Sequence, residues 1–264
     1  MNGALEIDAL HLALSAGFVL AAGAVSLALS LRLEKTLAIA SARTVVQLLV
    51  VGYVLSWVFA LESPWLVLSL IVLMVGAAAR AAVQRSQRTF RGAGLGAFLT
   101  LATTGVATTL GATELVIGVD PWWKPQYVVP LLGMVLGNGL TGMSLALDEL
   151  TRSLDEGRAR VETDLALGAT RWEAARGPLR DAVRRGMIPI TNTMMVVGIV
   201  SLPGMMTGQI LQGADPLHAV RYQIVIMFML AGATTFGCML LALLVYARLF
   251  DDAHRLRADR ITKR

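Results

Sequence analysis

Residues 161–180 read VETDLALGATRWEAARGPLR, a charged stretch in a chain that is otherwise oily. The 264-residue sequence is 56% hydrophobic and 16% charged, against about 25% charged in soluble domains. Apolar runs of about 20 residues, enough to cross a bilayer, recur on both sides of it. The composition predicts an all-α, polytopic membrane protein, with 1–264 forming a single transmembrane domain. Spans are expected near 9–31, 36–60, 64–82, 94–117, 129–149, 187–211 and 222–249. An amphipathic elbow at 33–43 would move the second span to 44–60 without changing the parity.

The quoted stretch lies in the fifth loop, 150–186, which carries eight arginines. Arg32 and Lys35, the four arginines between Arg80 and Arg91, and the six basic residues of the tail from Arg248 fall on the same side of the seven spans. The opposite side has only Lys124 and Arg221, and Arg43 lies within a span. Basic residues collect in cytoplasmic loops, so the fifth loop and the C-terminus are expected in the cytoplasm and the N-terminus outside. An even number of spans would destroy this asymmetry. Trp122, Trp123 and Tyr127 fit an outer interfacial belt. The first apolar run is too long for a signal-peptide core and its flank is acidic, so no cleavable signal is expected.

The same facts exclude several functions. Topology accounts for the net charge of +5, so no nucleic acid partner is expected. Retinal binding needs a lysine within a span, and Lys35, Lys124 and Lys263 all lie outside one. Cys238 is alone and reads as a small core residue. No nucleophile elbow, HExxH or CxxC occurs, so no catalytic residue is assigned, and the chain is not expected to be an enzyme.

Within the loop, Val161, Leu165 and Leu167 form part of an apolar stripe at helical spacing. Gly168 suits the position just past a helix end, where positive φ is easy. Thr170 followed by Glu173 is a capping-box pattern. These signals predict a helix, a glycine turn and a second helix from Arg171 through Ala175 toward Met187, with a kink at Pro178. A solvated amphipathic loop on the inner leaflet is the other reading of the same signals.

The pattern Glu162-Thr163-Asp164, three residues, then Gly168 resembles the cytoplasmic Glu-Ala-Ala loop of ABC transporter permeases, without its two alanines. More widely, LGNGLTGMSLALDEL (136–150), ETDLALGATRWEA (162–174), IVSLPGMMTGQIL (199–211), AVRYQIVIMFM (219–229) and ARTVVQLLVVGYVL (42–55) resemble the FetB-type (YbbM-type) permease family. That family is associated with bacterial iron export and is similar to plant aluminium-tolerance permeases. The resemblance implies a bacterial inner-membrane exporter subunit for a metal such as iron, working as a homodimer with two separate ATPase subunits. The chain has no P-loop. ATP and magnesium would therefore be held by the partner, with no cofactor on this chain. The coupling residues it implies are Glu162, Thr163, Asp164, Gly168, Ala169, Thr170, Arg171 and Trp172. An organic cargo such as a nucleotide sugar, or a seven-span receptor signalling through the fifth loop, are the alternatives.

Polar groups inside spans mark a candidate substrate path. Arg43 and Gln47 share one helix face in the second span, as a polar lining or an interhelical tie, or with Arg43 snorkelling to the inner headgroups. Asn138 lies among Gly133, Gly137, Gly139 and Gly142 in the fifth, where a GxxxG pair permits close packing. Asn192, Met205, Met206 and Gln209 follow in the sixth, where Pro203 is expected to kink or break the helix. Met205 and Met206, with Asp148 and Glu149 at the cytoplasmic end of the fifth span, are the candidates for contacting a metal. Thioethers suit soft ions better than iron, and methionine is also an ordinary core residue.

Overall fold

The structure, a computed structural model, describes residues 8–61 and 63–263. It is nearly all-helical. Helices α1 (Ala9–Ala28) and α2 (Glu34–Leu61) form a hairpin. Ser26 closes the turn by accepting from the Leu33 amide at 2.9 Å and donating to Glu34 at 3.1 Å. α2 starts directly at Glu34, so no separate elbow precedes it. α3 (Pro64–Arg85) begins with proline at its first position, where the missing N–H costs nothing. α4 (Ala93–Leu110) continues into a π-helical turn, Gly111–Ile117. α5 (Pro125–Glu156), α6 (Arg158–Ala166), α7 (Arg171–Val196), α8 (Gly204–Leu211) and α9 (Pro216–Leu249) follow. The departure from an all-helical expectation is a small antiparallel ribbon of β1 (Arg88–Phe90) and β2 (Ile261–Lys263), which ties the tail to the loop after α3.

α5 is the central helix. α3, α4, α7 and α9 pack around it, and Leu132, Met143, Leu147, Leu150 and Leu154 are fully buried there. Association within a bilayer relies on close packing rather than on the hydrophobic effect. Gly142 of α5 and Gly186 of α7 approach closely. A β-carbon on Gly142 would stand 2.8 Å from the Gly186 carbonyl and 2.6 Å from Thr234 of α9. The GxxxG pair Gly133 and Gly137 does not make this contact: Gly137 faces open space, and a β-carbon on Gly133 would only touch Met74 at 3.5 Å.

Among the described residues, six helices are long and apolar enough to cross a membrane: α1, α2, α3, α4 with its π turn, α5 and α9. The predicted sixth span, 187–211, is not one helix. α7 ends at Val196 and α8 begins at Gly204, with the chain turned between them through Gly198 at φ +85°. Pro203, which has no N–H to donate, stands at the N-cap of α8. α7 also reaches back to Arg171, through both Pro178 and Pro189. Its first half carries Arg176, Arg180, Asp181, Arg184 and Arg185, which is too charged for a bilayer core.

α1 and α2 differ from the other spans. Only 6% of each apolar window is buried, against 56% for α5. Val58 is the one α2 residue buried in the main core.

Candidate functional site

The fifth-loop residues fold into a helix, a turn and a helix. At the end of α6 the Ala169 amide donates to the Asp164 carbonyl at 3.0 Å and the Gly168 amide to Leu165 at 3.1 Å. Gly168 has φ +96°. This is a Schellman motif, and it needs glycine because a Cβ is disfavoured at that φ. Thr170 then caps α7. Its hydroxyl accepts from the Glu173 amide at 3.3 Å, and its own amide donates to the Glu173 carboxylate at 2.8 Å.

Val161 is buried and Leu165 packs on the core, so two members of the predicted stripe do face inward. Leu167 does not. It lies past the last turn of α6, and the reversal at Gly168 leaves it 81% exposed. Glu162 pairs with Arg158 at 2.7 Å on the outer face, and Thr163 bonds back to Ala159.

The start of α7 is clamped to α9 and to the tail. The Arg171 amide donates to His254 Nδ1 at 2.9 Å, and the Arg171 guanidinium pairs with Asp252 at 2.7 Å. Trp172 meets Tyr246 edge-on with ring centroids 5.6 Å apart, and Tyr246 packs on Phe250. An open cleft of about 400 Å³, lined by Arg171, Tyr246, Phe250, Asp252 and Arg260, lies beside the turn. Asp252, His254 and the tail were not legible as parts of this site. Their contact with Arg171 spans more than 80 positions of sequence, and no spacing signal reports it.

Thr170 → Ala should cost the cap about 1 kcal/mol, read as a lower thermal midpoint in detergent. The Thr170 amide and hydroxyl hold the Glu173 carboxyl below its ordinary range. A depressed carboxyl pKa stabilises the folded state above the unfolded pKa, and that contribution is lost as pH falls through the folded pKa. The α7 start should therefore fray on acidification. Thr170→Ala should show less of this pH dependence, measured by hydrogen exchange of the Arg171–Ala174 amides.

At the same end, Glu149 is 9% exposed and holds α5 to α7 through Arg185 at 3.5 Å, with Arg152 at 2.8 Å and Ser153 at 3.0 Å. Asp148 accepts from the Gln87 amide at 2.9 Å and from the Ser86 hydroxyl at 3.4 Å. Arg88 bridges Asp155 at 3.2 Å and Glu156 at 2.7 Å. Both carboxylates proposed for a metal are thus engaged in holding helices together. Met205 lies elsewhere, packed on a second cluster that contains Leu131, Ile190 and Ile226. Among the described residues, no three His, Cys, Asp or Glu side chains converge as metal ligands.

The path candidates divide into groups. Met205, Met206 and Gln209 lie on α8, and the Gln209 side-chain oxygen is buried with no hydrogen-bond partner among the described residues. Gln223 of α9 has a second such oxygen. Asn138 donates to the Met134 carbonyl at 2.9 Å, while Asn192 is exposed on α7. Arg43 and Gln47 are exposed on α2.

A model of the family described as Uncharacterised protein family (UPF0014) matches residues 9–250. A UPF0014 membrane protein of Synechocystis is 42% identical over 82% of this chain and 84% of its own length. A protein of Escherichia coli named probable iron export permease protein FetB is 31% identical over 96% of each chain. The Arabidopsis thaliana protein ALUMINUM SENSITIVE 3 is 34% identical over 90% of this chain and 86% of its own. No solved structure matches.

Proposed function

The chain belongs to the UPF0014 family of multi-pass membrane proteins, and on that premise we propose that it is the permease subunit of an ABC-type exporter. In this reading a separate ATPase binds the helix–turn–helix at 158–176 from the cytoplasm and supplies ATP and magnesium. The cargo is a metal ion, with iron the first to test, because one relative bears the name of an iron export permease. The membrane is the bacterial inner membrane, with the N-terminus outside and the C-terminus in the cytoplasm.

The observation that carries this reading is the rigid construction of the turn. A Schellman motif and a capping box define it, and Arg171 and Trp172 fasten it to α9 and the tail. Such an element passes a push on its tip to three helices as a rigid-body motion. Leu167, exposed at the tip, offers an apolar contact for a groove on the partner.

A seventh crossing is needed to keep the basic residues on one side. The second half of α7, the break at 197–203 and α8 together supply it as a discontinuous span. Broken helices of this kind leave backbone groups free to line a cavity.

The test is transport into inverted vesicles with the ATPase present, comparing iron, other metals and a nucleotide sugar. Iron uptake that requires ATP is the expected result. Equal iron flux without ATP would sink the exporter reading.

A further inference from the structure

We propose that the α1–α2 hairpin packs on a second copy of this chain, and that Arg43 and Gln47 complete a polar seam on that copy's α5 and α7. The inference rests on the permease reading only for the meaning of the seam as a substrate path.

The first ground is exposed area. A compact chain of this mass exposes about 11,000 Å², whereas this one exposes 16180 Å². In the hairpin, Ser26 and Val58 are the buried residues among those described, and Val58 is the one that joins the main core. A stable interface needs only about 800 Å² per partner.

Lipid can cover the apolar part of the hairpin, but not its polar groups. Arg43 and Gln47 lie within a bilayer-length helix, exposed, and find no hydrogen-bond or ionic partner among the described residues. Arg43, about 27 Å from the outer end of α2, can snorkel to the inner headgroups, but Gln47, a turn deeper, cannot, and an unpaired amide facing lipid there is costly. Glu149 and Arg185 mark one side of the α5–α7 contact. Asn138 lies about three turns from Glu149 on α5, and Asn192 about two turns from Arg185 on α7. Both asparagines therefore continue along the marked side. Asn138 is only partly covered, with its amide nitrogen on the Met134 carbonyl, and Asn192 is exposed. The body thus has an open polar seam, and the hairpin has donors with nothing to receive them.

The depths agree. From the Gly142–Gly186 contact, Asn138 lies about 6 Å and Asn192 about 9 Å toward the outer end, at 1.5 Å per residue. Measured from the outer helix ends, Gln47 lies about 21 Å inward of Leu61 on α2, and Asn138 lies about 20 Å inward of Pro125 on α5. A twofold axis along the membrane normal preserves depth, so Gln47 of one copy meets the asparagine level of the other. Arg43, one turn further in, then reaches toward the Glu149 end of the seam.

The experiment co-expresses two differently tagged copies, one Gln47→Cys and the other Asn192→Cys, and oxidises the membranes mildly. Native Cys238 is buried and stays silent. A disulfide joining the two tags is the expected result. A disulfide that forms only within a chain carrying both substitutions overturns the proposal, because the hairpin then folds on its own body. The absence of any disulfide also overturns it, since the hairpin then faces lipid. A second pair one turn outward, Val50→Cys with Met195→Cys, guards against a folding defect at the first. ATPase binding is scored separately, so failure of the interface and failure of the permease reading remain distinct.

Discussion

Replacing residues 162–168 by a Gly/Ser linker of equal length is expected to abolish ATPase binding and to reduce stimulated ATP hydrolysis to the level of the ATPase alone. The linker removes the last turns of α6 and the exposed Leu167, and with Gly168 it removes the positive-φ pivot of the Schellman motif. It leaves the Thr170 cap and the Arg171 and Trp172 clamps in place. Because Leu165 packs on the core, the linker also disturbs folding to some extent. Leu167→Glu avoids that difficulty, since Leu167 is 81% exposed. It should leave the thermal midpoint unchanged and weaken ATPase binding by about tenfold or more, the loss expected when a charge replaces an apolar anchor at the centre of a small interface. Binding that survives both changes would remove this turn from the coupling role.

The second large effect is on stability. Gly186→Ala puts a β-carbon 2.7 Å from the Gly142 carbonyl and 2.6 Å from the Cys238 sulfur. Gly142→Ala meets the Gly186 carbonyl at 2.8 Å. Real β-carbons do not tolerate such distances, and the obstacle is partly backbone, so α5 and α7 must separate. Overpacking a well-fitted core costs about 1–3 kcal/mol, and an obstacle made of backbone puts these two substitutions at the upper end or beyond. Gly137→Ala is the control. Its β-carbon meets nothing within 4 Å, so its thermal midpoint should match that of the parent or rise slightly from the gain in helix propensity. Equal midpoints for Gly186→Ala and Gly137→Ala would show that the helices do not approach as described.

The two glycine results bear on what a sequence can reveal. GxxxG spacing identifies glycines that share a helix face, and Gly133 with Gly137 satisfies it. Which face meets a neighbour depends on how α5 is rotated among four other helices. That rotation is set by long-range packing, and it selected Gly142 instead. The turn at 161–180 was more legible because its determinants are local. Gly168, Thr170 and Glu173 act over three to five residues, and the turn and cap they predict are the ones formed. The partners of Arg171 were not legible, because Asp252 and His254 follow α9, more than 80 positions along the chain.

By itself, then, the sequence determined the helical membrane character, the extent of most apolar helices and the form of the fifth-loop turn. Apolar run length and capping chemistry act within a few residues, so they can be read in order along the chain. Pro203 marked a kink or break in the sixth span from the sequence, and the tertiary structure decided where it falls, between Val196 and Gly204. It also decided that Asp148 and Glu149 tie elements together and that Arg43 and Gln47 are left exposed on α2. These outcomes depend on which helix faces meet in space, and a helical period fixes only which residues share a face.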